Sequence, residues 1–288
     1  MINIYDVRFH PGDSGFLVDD GKTSVLYDSG FGFTGFGVAE KIKKILGERK
    51  LDYIFLSHSH YDHALGSAYI LEYWSDATVV AGAYAANIFS RDGAKKLMRE
   101  LDGKFALHCG VTEYEFLGDK LRVDIEVEDG DIIKAGDMTF EAVALPGHTK
   151  CSFGFYCKDE KLLLSSETLG VYDGDETVIP SFLVGYNMSL ESMKKIKKYD
   201  IEKILIPHVG IIDGEKTKYF LSIMEERASY FAELIAGFVK DGKTDDEIID
   251  YFVRTYRKGY IEKIYPIDAM SLNLSIMIKL IKKEFEIE

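Results

Sequence analysis

The chain has 288 residues, 47% of them hydrophobic, which is enough to bury a large core and too apolar for a disordered polymer. Its 35 basic and 48 acidic side chains leave a net charge of −13, the opposite of the basic surface that neutralises nucleic-acid phosphates. Cys109, Cys151 and Cys157 are an odd number without a CxxC pair, no apolar run reaches the ~20 residues of a bilayer span, and residues 1–8 lack a signal peptide's basic-then-apolar order. These features predict a cytoplasmic protein with free thiols and a small-molecule substrate, with no nucleic acid and no membrane as partners.

Taken in order, residues 1–30 alternate apolar and polar and are broken by Pro11-Gly12-Asp13 and Asp19-Asp20-Gly21-Lys22, which predicts a meander of short antiparallel strands. The run Thr23 to Tyr27 closes on Asp28-Ser29-Gly30, an acid followed by small residues. Gly30, Gly32 and Gly35 then give a GxGxxG-like spacing in a glycine- and phenylalanine-rich stretch. A dinucleotide fingerprint needs a βαβ unit whose second strand ends in an acid, and here the second strand, Leu51 to Leu56, runs into histidines. The stretch therefore reads as a mobile loop in which Phe31, Phe33 or Phe36 lines an apolar pocket. Val38 to Gly47 predicts an amphipathic helix with Val38, Ile42, Ile45 and Leu46 on one face.

Ser57-His58-Ser59-His60-Tyr61-Asp62-His63 holds three of the seven histidines between a β-type run and a helical one, Ala64 to Leu71. Imidazole is the commonest zinc ligand and suits iron, and a carboxylate adds a hard anionic donor. Clustered imidazoles without a metal would repel one another on protonation and add no packing. His58 and His60, two apart in extended chain, can point one way, with Asp62 and His63 facing a second position. The pattern His58-x-His60-x-Asp62-His63 resembles the HxHxDH signature of the metallo-β-lactamase superfamily, whose further ligands come from the ends of later strands.

The rest of the chain is read beside that resemblance. Residues 83–125 predict a helical and loop insertion carrying His108 and Cys109, where His108 lacks flanking ligands and reads as structural or as bordering the pocket. The strand Asp137 to Leu145 runs into Pro146-Gly147-His148-Thr149, and a further strand, Cys151 to Lys158, buries two cysteines. Lys161 to Ser166 closes on Glu167, where the family usually places a bridging aspartate, so the metal count and the bridge are open. A helix from Ser189 to Tyr199, with Leu190, Met193 and Ile196 inward, leads to Lys203 to Ile206 and Pro207-His208. Helices follow at 218–239, 244–256 and 269–286, the second started by Thr244 with acids in its first turn and the last with Leu272, Ile276, Leu280 and Ile281 inward.

The resemblance implies an α/β fold, a four-layer αβ/βα sandwich of two mixed β-sheets flanked by helices, as residues 1–213, with a C-terminal helical appendage as residues 214–288. It implies two divalent ions, zinc first with iron or manganese as alternatives. One would sit on His58, His60 and His148, the other on Asp62, His63 and His208, with Glu167 between them. Asp62 would also move a proton, Asp28 would support a histidine ligand, and Tyr186 would contact substrate. The reaction implied is hydrolysis of a small ester, thioester, lactone or phosphoester by a metal-activated water, in a chain that can form a homodimer. An iron oxidoreductase of the persulfide dioxygenase kind, and a metal-bearing sensor without turnover, are the other readings.

Overall fold

The N-terminal segments pair as their turns dictate. Asn3–Asp6, Phe16–Asp19 and Ser24–Tyr27 form an antiparallel meander, and the last of these pairs parallel with Tyr53–Phe55, followed by Thr78–Gly82 and Ile125–Val127. Phe16–Asp19 and Ser24–Tyr27 are buried along their whole length, as expected of strands covered on both faces. This computed structural model describes residues 2–174 and 176–287, which divide into two units.

The first unit comprises residues 2–144 and 153–164. Besides the meander sheet it holds Ile132–Ala135, Met138–Ala144, Phe153–Cys157 and Leu162–Leu164, each antiparallel to the next. Ile132–Ala135 was hidden in the sequence by flanking Asp-Gly and Gly-Asp pairs that read as one long turn. The predicted amphipathic helix spans Gly35–Leu46 and buries Val38, Ala39, Ile42 and Leu46. The insertion is mainly helical, Ala83–Phe89 and Asp92–His108.

Parallel pairing sets up the site. Tyr27 and Phe55 are register partners, so the loops that leave those two strands start side by side, and the Asp28 N–H donates to the Phe55 carbonyl at 2.8 Å. Asp28 and the histidine cluster, some thirty residues apart in sequence, are neighbours from the backbone outward.

The second unit comprises residues 145–152 and 165–287, so the helices beyond residue 213 pack in one unit with the segments carrying His148, Glu167 and His208. It contains the hairpin Lys203–Ile206/Gly210–Asp213, the short pair Val171–Tyr172/Val178–Ile179, and helices Tyr186–Ile196, Gly214–Lys240, Asp245–Tyr256, Tyr260–Ile264 and Ile267–Glu284. Thr244 starts its helix with a full capping box, its hydroxyl accepting from the Glu247 N–H. The last helix turns inward a stripe that matches the expected one at Ile281 and departs from it at Leu272. Met270, Leu274, Met277, Ile278 and Ile281 are buried, whereas Leu272 is 50% exposed. Apolar residues surround this helix, so periodicity alone could not choose the stripe. Cys151 and Cys157 are free and buried, and among the described residues no helix is long and apolar enough to cross a membrane.

Candidate metal centre

In the first unit His58, His60, Asp62 and His63 lie on the loop leaving Tyr53–Phe55 and on the single helical turn Tyr61–Ala64. The rings of His58 and His60 are 4.6 Å apart and those of His58 and His63 are 4.1 Å apart. Asp62 Oδ2 stands 3.7 Å from His63 Nε2. Three imidazoles in van der Waals contact beside a carboxylate make a donor set, not a packing motif.

The rings of His63 and His58 are aimed from behind. The His63 Nδ1–H donates to Asp28 Oδ2 at 2.7 Å, with both side chains fully buried. The Ser57 hydroxyl donates to the same carboxylate at 3.0 Å, which leaves its oxygen to accept from His58 Nδ1 at 2.9 Å. Asp28 is itself fixed by the Ser57 N–H and the Ser14 hydroxyl, both at 2.8 Å, in a left-handed turn conformation at φ 54°. A carboxylate or hydroxyl behind Nδ1 sets the tautomer and turns the basic Nε2 forward.

The second unit holds His148, Glu167 and His208. Gly147 carries His148 out of the strand end, and the His148 Nδ1 lies 2.9 Å from both the carbonyl and the hydroxyl of Ser181. A carbonyl can only accept, so Nδ1 carries the proton and Nε2 the lone pair. Glu167 divides its oxygens between two imidazoles, Oε2 lying 2.8 Å from His148 Nε2 and Oε1 lying 3.3 Å from His208 Nε2. Burial alone would push the Glu167 carboxyl up, but His148 and His208 outweigh it and hold it well below the ordinary carboxylate range. A lone pair and a carboxylate oxygen at 2.8 Å need a cation between them, a proton or a metal ion. The donor set therefore fits a divalent metal.

Other candidates lie elsewhere. His108 is exposed and stacks on Phe105 at 6.0 Å. Tyr186 is a core residue of the second unit, edge-on to Phe182 at 5.3 Å and to Phe285 at 5.6 Å, with its hydroxyl donating to Ser229. Sequence reasoning missed Ser57 and Ser181, which orient His58 and His148, and Tyr260, whose hydroxyl donates to the His208 carbonyl at 2.7 Å. Ser57 was legible as the residue before the first histidine, while Ser181 and Tyr260 carry no local signal.

The model of the metallo-beta-lactamase superfamily matches residues 7–208, well over half of the sequence. The chain belongs to that superfamily. A metallo-beta-lactamase fold-containing protein of Sulfurisphaera tokodaii is 26% identical over 210 residues, 71% of this chain and 73% of that protein. A bovine acyl-coenzyme A thioesterase is 28% identical over 56% of this chain and 57% of its own length. A hydroxyacylglutathione hydrolase of Francisella tularensis is 22% identical over 67% of this chain and 76% of its own. Among solved structures, a metallo-beta-lactamase family protein from Thermus thermophilus superposes with a TM-score of 0.62 at 18% identity, covering 98% of this chain and 89% of that one. These likenesses show the fold: an α/β sandwich of mixed β-sheets flanked by helices, with a C-terminal helical region.

Proposed function

We propose that this member of the superfamily is a metal-dependent hydrolase of small-molecule thioesters. In this reading His58, His60 and His148 hold one divalent ion and Asp62, His63 and His208 a second, with Glu167 between them. The observation that carries it is the placement of Glu167, one oxygen toward each of two histidine nitrogens, at 2.8 and 3.3 Å. A carboxylate that reaches both histidines supports a place between two ions, and the extra methylene of glutamate over aspartate leaves that reach intact. Zinc suits so many imidazoles, with iron or manganese as alternatives. When bound, two divalent ions lower the pKa of a water toward neutrality and stabilise charge on attacking and leaving atoms.

The chain's own residues supply the rest. Asp28 and Ser57 hold His63 and His58 in the metal-binding tautomer. Asp62 keeps 22% of its side chain exposed beside His63 and is placed to take a proton from the attacking water. Support for the bond class comes from two relatives whose names specify an acyl group on a thiol carrier, acyl-coenzyme A and hydroxyacylglutathione. A thiol has a pKa of about 8.5 and leaves as thiolate, so one proton acceptor serves the reaction without a separate acid. Lactones and phosphoesters leave as stronger bases, which makes the thioester the better fit.

The test combines elemental mass spectrometry on protein purified without added metal or chelator with thiol release from acyl-coenzyme A and acylglutathione panels. The expected result is two zinc or manganese ions per chain and thiol release that Asp62→Ala and Glu167→Gln abolish. A single iron with oxygen uptake would replace hydrolysis by a dioxygenase reaction. Full metal loading with no turnover on any ester or thioester would leave a sensing protein.

A further inference from the structure

Two buried carboxylates of the first unit take no part in the ligand set, and both hold the same short loop. Asp13 is fully buried and accepts from the N–H groups of Phe9, His10 and Phe31 at 2.9, 2.7 and 3.1 Å and from the Thr34 hydroxyl at 2.7 Å. Asp102, also fully buried, accepts from the Gly32 N–H at 2.9 Å and the Tyr114 hydroxyl at 2.6 Å. Burial pushes Asp102 up to about 6 and Asp13 upward as well, so these carboxylates are held against their own solvation. The glycine spacing follows from them. A Cβ on Gly30 would stand 2.6 Å from Asp13 Oδ1, and one on Gly32 would stand 2.8 Å from Asp102 Oδ2. The loop is thus pinned at both ends, not mobile, and its glycines serve carboxylates of this chain, not a phosphate.

What the loop displays is a row of aromatic rings. Tyr61, the residue between ligands His60 and Asp62, lies 5.6 Å from Phe31; Phe31 lies 5.2 Å from Phe33, and Phe33 lies 6.2 Å from Tyr114. Phe31 is buried and backed by Phe105 at 4.7 Å, while Tyr61, Phe33 and Tyr114 are half-buried. At its far end Tyr114 borders an open surface depression lined also by Arg99, Thr112, Glu113 and Phe116.

We propose that this row is an acyl subsite, which receives an apolar acyl chain of medium length with its carbonyl end at Tyr61 and its tail over Phe33 toward Tyr114. The assignment rests on the thioester reading above. Rigid rings on a pinned loop give apolar contact with little left to order on binding. Specificity should therefore follow chain length, and it should do so through Phe33.

Calorimetric titration with S-methyl, S-hexyl and S-decyl coenzyme A thioethers, which cannot be hydrolysed, tests the subsite apart from the chemistry. In the wild-type protein affinity should rise about twofold to fourfold per added methylene until the row is filled. Phe33→Ala should flatten that dependence, weakening the decyl thioether by about tenfold or more and leaving the methyl one within about twofold. Phe33→Leu, which keeps apolar bulk, should recover most of the slope and guards against a folding defect. Equal affinity for all three thioethers, no binding of any of them, or a uniform loss in Phe33→Ala overturns the subsite. A length-dependent affinity without cleavage of any acyl-coenzyme A overturns the thioester reading and leaves the subsite standing.

Discussion

At the scale of single residues, the centre depends on groups that never reach a metal. Asp28 receives the His63 Nδ1–H, the Ser57 N–H and the hydroxyls of Ser14 and Ser57, so one carboxylate orients one histidine directly and another through Ser57. Asp28→Asn keeps the volume but puts an amide N–H₂ where at least one of these donors now points. Loss of such a partner typically lowers metal affinity by about 10–100-fold. Chelator competition on the folded variant should show that loss, with circular dichroism unchanged. Wild-type affinity in Asp28→Asn would mean that His63 is oriented by the backbone alone.

At the scale of elements, the C-terminal helices do more than cover a surface. The short helix Tyr260–Ile264 begins with the tyrosine whose hydroxyl donates to the His208 carbonyl at 2.7 Å. His208 sits in the left-handed region at φ 62°, which a non-glycine residue adopts only when its surroundings hold it. Glu284, at the end of the last helix, accepts from the N–H groups of Tyr186 and Asn187 and so caps the helix Tyr186–Ile196. Tyr260→Phe removes one hydrogen bond worth about 1 kcal/mol, so metal affinity should fall about fivefold. Titration of the metal-free variant with cobalt should show the second equivalent binding more weakly while the first is unchanged. Equal weakening of both, or of neither, would remove Tyr260 from the centre. These elements also mark where reading the sequence succeeded. Strands bounded by turns, and the helix begun by Thr244, carry local signals. The inward face of Ile267–Glu284 does not, because Leu272 and Leu274 are equally apolar and only the partner surface chooses between them.

At the scale of the whole molecule, the candidate donor residues were legible because each follows a strand, in an order that a known family shares. Asp13, Asp102 and Ser181 were not, since an isolated polar residue has no periodicity and its partner is remote, as with Asp102 and Gly32, 70 positions apart. The buried carboxylates have a further consequence, for stability against pH. Asp102 has an ordinary value of 3.8 and is raised by burial to about 6, so the folded chain keeps a proton that the unfolded chain releases. Its contribution is therefore full below 3.8 and is lost as pH rises through about 6, a span worth about 3 kcal/mol. Glu167 acts in the opposite direction: its carboxyl is held below the ordinary 4.5, so the stability it adds is present above that value and lost on further acidification. Urea unfolding of the metal-free protein at several pH values should show a gain from pH 7.5 to about 5, followed by a fall at lower pH. Asp102→Asn carries no titrating group there, so it should be less pH-dependent than wild type across that upper window, by about 1.4 kcal/mol, the share of the span that falls between pH 6 and 5. The same slope in both proteins would place the proton elsewhere and show that Asp102 is charged in the folded chain at pH 5.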